Sequence, residues 1–240
     1  MIETKLVLIE GPPGSGKTTT ARNLATEISN SGKACQCFLE WSTDNPIAIG
    51  DDLHLGQVTA SSMAREANML QQWQQFAQAR QSEELVTVME SRFWQTSMML
   101  MYVAGHPIEG VLESNQRVAE AIQGLKPVLI HFVIDDLGAF AARTIQVKEQ
   151  EWQRAGHKGS WAQHIFEAFD SQKWFTDRGL TGLTGTLAFL EEWGLVTEKL
   201  YDRLTFPKIK IGNPHKDWTL AMQQMRGFLG LGGSLTNTAL

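Results

Sequence analysis

The sequence predicts an α/β fold, a five-stranded parallel sheet with helices on both faces. Three observations predict it. Five short apolar runs recur along the 240 residues, each separated from the next by segments of helical spacing. The first run ends in a Gly-rich turn that opens directly onto a helical segment. No internal repeat and no Pro/Gly-rich linker divides the chain, so residues 1–229 read as one domain and 230–240 as a loose tail rich in Gly, Ser, Thr and Asn.

The elements follow in order. Lys5–Glu10 (KLVLIE) is an apolar run of strand length. Lys17–Asn30 carries Ala21, Leu24, Ala25 and Ile28 at helical spacing, and Ser31-Gly32 stops it. Ala34–Glu40 is the second strand, followed by a loop over Trp41–Asp52. Ser61–Gln81 reads as a helix and Glu84–Met89 as the third strand. Arg92–Val103 and Ile108–Gln123 read as helices split by Gly105-His106-Pro107. Pro127–Ile134 (PVLIHFVI) is the clearest strand, and Leu137–Arg154 the helix after it. Helices are expected over Ala162–Phe175 and Thr186–Tyr201, a short strand at Lys208–Ile211 and a closing helix at Asp217–Phe228. Helical insertions after strands two, three and four build over the carboxyl edge, where ligands bind in such sheets.

Composition excludes several classes. With 42% hydrophobic and 20% charged residues, the chain has material for a core and is not disordered. Lys and Arg total 21 against 26 Asp and Glu, so the net charge of −5 disfavours a general nucleic-acid binder. Eight Trp against two Tyr imply large flat apolar surfaces in a core or a pocket. Cys35 and Cys37 lie two apart on one strand face, too close for an ordinary bridge, and read as reduced thiols. His54, His106, His131 and His164 have no metal-ligand spacing. The opening residues lack a basic n-region and a cleavage site, and the longest apolar runs are too short to span a membrane. The expectation is a soluble, cytoplasmic protein.

The sharpest signal is Gly11-Pro12-Pro13-Gly14-Ser15-Gly16-Lys17-Thr18, a full match to G-x-x-x-x-G-K-[ST] between a strand and a helix. Its glycines let backbone N–H groups turn inward around phosphate oxygens, and the helix N-terminus adds its dipole. Lys17 is placed for β/γ-phosphate charge, and the Thr18 hydroxyl for Mg²⁺. The segment defines a P-loop NTPase fold and a nucleotide site over Gly11, Pro13, Gly14, Ser15, Gly16, Lys17, Thr18 and Thr19, with ATP and Mg²⁺ as cofactors.

The other strand ends carry Glu40, Glu90-Ser91-Arg92 and Asp135-Asp136, with Arg143 seven residues after Asp136. With the P-loop, these residues resemble the P-loop nucleoside and nucleotide kinases, the thymidylate kinase and deoxynucleoside kinase group. The resemblance covers roughly Lys5–Glu40, Leu85–Arg92 and Pro127–Arg154. Glu40 is followed by Trp41 and not Pro, and Glu-Ser-Arg transposes the group's Glu-Arg-Ser, so substrate identity does not carry over.

A kinase of this kind needs a base for the acceptor hydroxyl, a metal and positive charge over the transferring group. Glu40 is the candidate base, with an ordinary loop carboxylate as the alternative. Glu90 is the candidate metal residue beside Thr18. Asp135 competes for the metal or caps the following helix. Arg92 is a candidate clamp on the acceptor or the γ-phosphate, against a surface salt bridge. The basic residues of 143–160, Arg143 first, make a lid candidate, and a solvated helix face with paired charges would look similar. Asn213 is placed near adenine by family-like geometry alone. The acceptor wall is expected from helices in 53–81 and 92–123, with Trp41, Trp73, Phe76, Trp94, Gln95, Met98 and Tyr102 as candidates. Trp94 and Gln95 are well placed for a planar ligand, and core packing is the alternative for each aromatic.

Two functions follow. One is ATP-dependent phosphoryl transfer to a small molecule, a nucleoside, nucleotide or similar hydroxyl-bearing metabolite or antibiotic. The other is a P-loop ATPase or nucleotide-dependent switch acting on a protein partner. Neither nucleic acid nor membrane is an expected partner, and a homodimer is expected by analogy with the kinases.

Overall fold

The structure, a computed structural model, describes residues 3–40, 42–47 and 62–231. Trp41, the stretch 48–61 and the tail from 232 lie outside the described residues. All strands are parallel: β1 (Leu6–Glu10), β2 (Ala34–Phe38), β3 (Leu85–Glu90), β4 (Val128–Val133) and β5 (Lys208–Gly212), in spatial order β2-β3-β1-β4-β5. The strand with the P-loop is therefore central, between β3 and β4.

Strand alternation separates two cores. Val7 and Ile9 of β1, with Val86 and Val88 of β3 and Ile130 of β4, face α1 (Lys17–Asn30) and α9 (Trp218–Leu229). Leu6 and Leu8, with Met89 and Leu129, face the opposite layer. That layer holds α2 (Ser62–Gln81), α3 (Met98–Val103), α4 (Ile108–Ala121), α5 (Leu137–Arg154), α6 (Trp161–Asp170), α7 (Lys173–Thr176) and α8 (Gly182–Arg203). On α1, Ala21, Leu24 and Ile28 are buried as their spacing requires, and fully burying such a Leu or Ile is worth about 1.5–3 kcal/mol.

Three expectations are corrected. Arg92–Ser97 is not helical and only Met98–Val103 is. The Thr96 and Met99 N–H groups reach five residues back, to the Ser91 and Trp94 carbonyls, and the Thr96 and Ser97 hydroxyls take the Ser91 and Arg92 carbonyls, so the helical ladder does not form; the buried Glu10 carboxylate holds the N–H groups of Phe93, Trp94 and Gln95 in this turn. The helix expected over Ala162–Phe175 breaks after Asp170, and Lys173–Thr176 resumes as one short turn behind Gln172. The helix expected from Thr186 starts at Gly182. Gly185 there lies so close to Phe175 that a Cβ would meet its ring at 3.1 Å, so packing outweighs the weak helix propensity of glycine.

Candidate active site

The phosphate loop leaves β1 at Glu10 and enters α1 through Gly16, which holds a left-handed φ of 88°. Gly14 is also left-handed, at 79°, and a Cβ there would meet the Thr144 Cγ2 at 2.5 Å. A Cβ at Gly16 would collide with the Trp218 ring. Side chains are thus excluded by backbone conformation and by the packing of α5 and α9 on the loop. No side chain caps α1, whereas Asp136, Ser160 and Asp217 cap α5, α6 and α9. The first N–H groups of α1 remain directed at the loop.

Lys17 is 4% exposed, and its ammonium donates to the Pro12 carbonyl at 3.0 Å. The Thr18 hydroxyl donates to Glu90 Oε1 at 3.0 Å. Glu90 also accepts from the Ser91 hydroxyl at 3.2 Å and from the Glu40 backbone N–H at 3.1 Å. Alternation explains the meeting: Glu90 shares the α1 side of β3 with Val86 and Val88. Asp135 goes elsewhere, its carboxylate accepting from the Asn213 amide at 2.6 Å, and it is Asp136 that caps α5.

Beyond Glu90 the chain turns sharply through Ser91, which adopts φ 61°, a sparsely populated region for a residue with a side chain. The turn places Arg92 and Gln95 beside Glu40. Gln95 donates to the Glu40 carboxylate at 3.1 Å, and Arg92 donates to the Glu40 carbonyl. Arg92 is 4% exposed, yet its Nε and Nη1 have no partner among the described residues. The Ser15 hydroxyl, fully buried in the loop, has none either. Orphaned buried donors around a Gly-lined cradle fit an anionic phosphate chain. Among the described residues no group of three or more His, Cys, Asp or Glu side chains forms a metal cage. The Thr18–Glu90 pair suits Mg²⁺, which takes one or two protein ligands and completes its shell with phosphate and water.

Two carboxyls are displaced in charge. Burial pushes Glu40 up to about 7, with Lys17 opposing and Glu90 assisting. Burial also raises Glu10 to about 7, against the pull of the three N–H groups and Lys17. Glu10 is the functional residue that the motif reading passed over. Its signal was present: a carboxylate closing an otherwise apolar strand one residue before the phosphate loop.

The remaining candidates divide. Trp94 is buried, donates to Asn115 at 3.0 Å and stands edge-on to His131 at 5.0 Å. Trp73, Phe76 and Met98 pack in the core, and the Tyr102 hydroxyl donates to Glu192. Arg143 is exposed and has no ion pair or hydrogen bond among the described residues. In the lid candidate, Lys148 pairs with Glu151 at 2.7 Å, Glu149 accepts from Ser160 and Ala162, and Trp152 stacks on His157. Asn213 is left-handed and bridges the β4 and β5 ends through Val133 and Asp135. Pro13 on the loop and Thr19 in the first turn of α1 are exposed. Trp41 lies outside the described residues.

A cavity of about 550 Å³ opens from the phosphate loop at Gly11–Pro13. It lies between the β1 and β4 ends and helix α8, with Trp94, Gln95, Met99, His131 and Trp193 in its lining. The expected acceptor wall lies in 53–81 and 92–123, and Trp94, Gln95 and Met99 of the second stretch do line this cavity. Its other wall is α8, because α5 and α8 pack against each other over β4.

The fold and this loop define a P-loop NTPase. Residues 7–173 match the model of the ATPase family associated with various cellular activities (AAA), and the chain belongs to that family. No curated protein matches the sequence. Among solved structures, the chain is similar in fold to thymidylate kinase from Candida albicans, at TM-score 0.52 and 14% identity, covering 95% of this chain and 93% of that one. No helix among the described residues is long and apolar enough to cross a membrane.

Proposed function

We propose that the protein is an ATP-dependent phosphotransferase that moves the γ-phosphoryl group to a hydroxyl of a small molecule, in the class of nucleosides, nucleotides and similar metabolites or antibiotics. The observation that carries the reading is the cavity of about 550 Å³ that begins at the phosphate loop itself. A space of that size suits a small ligand, and enclosure beside the loop is what transfer to an acceptor other than water requires. The full-length likeness to a kinase fold agrees with it.

The roles follow from position. Backbone N–H groups of the loop and Lys17 hold the phosphates, with Lys17 exchanging the Pro12 carbonyl for phosphate oxygen. Thr18 and Glu90 would hold Mg²⁺, which would supply charge neutralisation for the phosphates. Arg92 offers its two unpartnered nitrogens to the transferring group. Glu40, raised to about 7 and oriented by Gln95, takes the proton of the acceptor hydroxyl. Glu10 positions the turn that carries Arg92 and Gln95.

The family match favours a second reading, in which ATP is hydrolysed to drive a protein partner. Incubation with γ-labelled ATP and a panel of hydroxyl compounds separates the two. Label in an organic product supports transfer. Label released only as inorganic phosphate, at an unchanged rate across the panel, overturns it.

A further inference from the structure

The lining of the large cavity is chemically one-sided. It carries the carboxylates of Glu10, Asp135, Asp136, Glu191 and Glu198, and among its described lining residues there is no Lys or Arg. Glu10 is bound to three N–H groups, Asp136 caps α5, Asp135 is tied to Asn213, and Glu198 pairs with Lys210. Glu191 is exposed and has no hydrogen-bond or ion-pair partner among the described residues. Deep in the same space lies His131, 3% exposed, with its Nδ1 unpartnered. Register places it beside Glu10, on the α8 side of the sheet with Leu129. Burial and the nearby Lys210 and Lys17 lower His131 to about 3, so the ring is neutral and one nitrogen offers a lone pair. Trp94 and Trp193 add aromatic surface.

We infer that this cavity takes a ring-bearing hydroxyl compound that carries an ammonium group, and that it discriminates against a monophosphorylated acceptor. An ammonium group finds a free carboxylate at Glu191, the lone pair of the neutral His131 ring and an aromatic lining. A phosphate in the same place would meet carboxylates and no cation among the described lining residues, Lys17 and Lys210 acting on His131 from outside the lining. The inference rests on the phosphotransferase reading only for the fate of the ligand; binding is independent of it.

The test is a tryptophan-fluorescence titration of the full chain with its phosphate loop filled by a non-hydrolysable ATP analogue and Mg²⁺. The probes are thymidine, 3′-amino-3′-deoxythymidine and thymidine 5′-monophosphate, one scaffold in three charge states, with 2-deoxystreptamine and 5-hydroxytryptamine as further amines. At least one amine is expected to bind about tenfold more tightly than thymidine and more tightly still than the monophosphate, a gain in the range of a cation–π contact plus a partly exposed ion pair. Glu191→Gln removes that advantage without touching the fold. His131→Phe weakens the amine, and His131→Asn, which keeps a polar atom near Nδ1, restores part of it. Monophosphate binding as tight as the amines, no amine binding below about 1 mM, or an advantage that survives Glu191→Gln each overturns the inference. With γ-labelled ATP, an amine that binds and stays unlabelled sinks the phosphotransferase reading alone. Preferential labelling of the monophosphate sinks this inference alone.

Discussion

The Thr18 hydroxyl donates a 3.0 Å hydrogen bond to the Glu90 carboxylate across 72 residues of sequence, joining the first turn of α1 to the end of β3. The pair exists because β3 is hydrogen-bonded directly to β1, with Ile9 opposite Glu90. Glu90→Gln keeps an oxygen for the Thr18 hydroxyl and removes the charge. It is expected to raise the Mg²⁺ concentration for half-maximal turnover by about 10–100-fold with little change in melting temperature. An unchanged Mg²⁺ requirement would place the metal elsewhere.

Arg92→Lys tests the orphaned guanidinium. A lysine still reaches the Glu40 carbonyl and supplies one charge, but not two further planar donors. Turnover should fall by about 10²–10³-fold while nucleotide affinity changes only a few-fold, the pattern of a group used mainly in the transition state. A loss confined to KM for ATP contradicts the assignment.

Glu40 makes a pH prediction with a definite sign. A base with a pKa of about 7 is active when ionised, so turnover rises through that pH and levels above it. Glu40→Gln should abolish this limb. Stability runs the other way. The folded-state pKa lies above the unfolded value of 4.5, so the folded state holds the extra proton and stability is lost as pH rises from about 4.5 to 7. Relative to the parent, Glu40→Gln should therefore melt higher at pH 8 than at pH 5. Equal melting differences at the two pH values would refute the shifted carboxyl.

Glu10→Ala removes the acceptor of three buried N–H groups. The expected cost is about 3 kcal/mol or more by denaturant titration, at least about one for each of the three donors left unpaired. Hydrogen exchange should rise first at residues 93–95. A cost below about 1 kcal/mol would mean that the turn holds without Glu10.

Gly14→Ala places a Cβ on a left-handed residue and against Thr144. It should cost about 1–2 kcal/mol from backbone strain alone. Thr144→Ala in the same chain should recover the steric part and leave the strain. Full recovery by Thr144→Ala would show that contact, not conformation, selects glycine.

Much of the fold was legible because its signals are local. The apolar runs of β1 and β4, the helical spacing of α1 and the eight-residue phosphate loop each depend on residues adjacent in sequence. Helix α5 begins and ends where its spacing places it, though its cap is Asp136 and not Asp135. Arg92–Ser97 reads as helix from its own residues, and what anchors it as a turn includes Glu10, more than eighty residues earlier. For the same reason Glu10 drew no functional reading: alone it is one carboxylate at a strand end.

The sequence by itself determined the α/β class and the nucleotide loop, including Lys17 and Thr18, because strand alternation, helical period and a Gly-lined turn are short-range physics. Only the tertiary structure decided which charges meet. Parallel pairing put Glu90 on Thr18, and sent Asp135 to Asn213. The packing of α5 and α8 over β4 set a carboxylate-lined cavity around a neutral His131. Those contacts depend on the order of strands and the closing of long loops, and strand alternation fixes which face a residue presents without saying what it will find there.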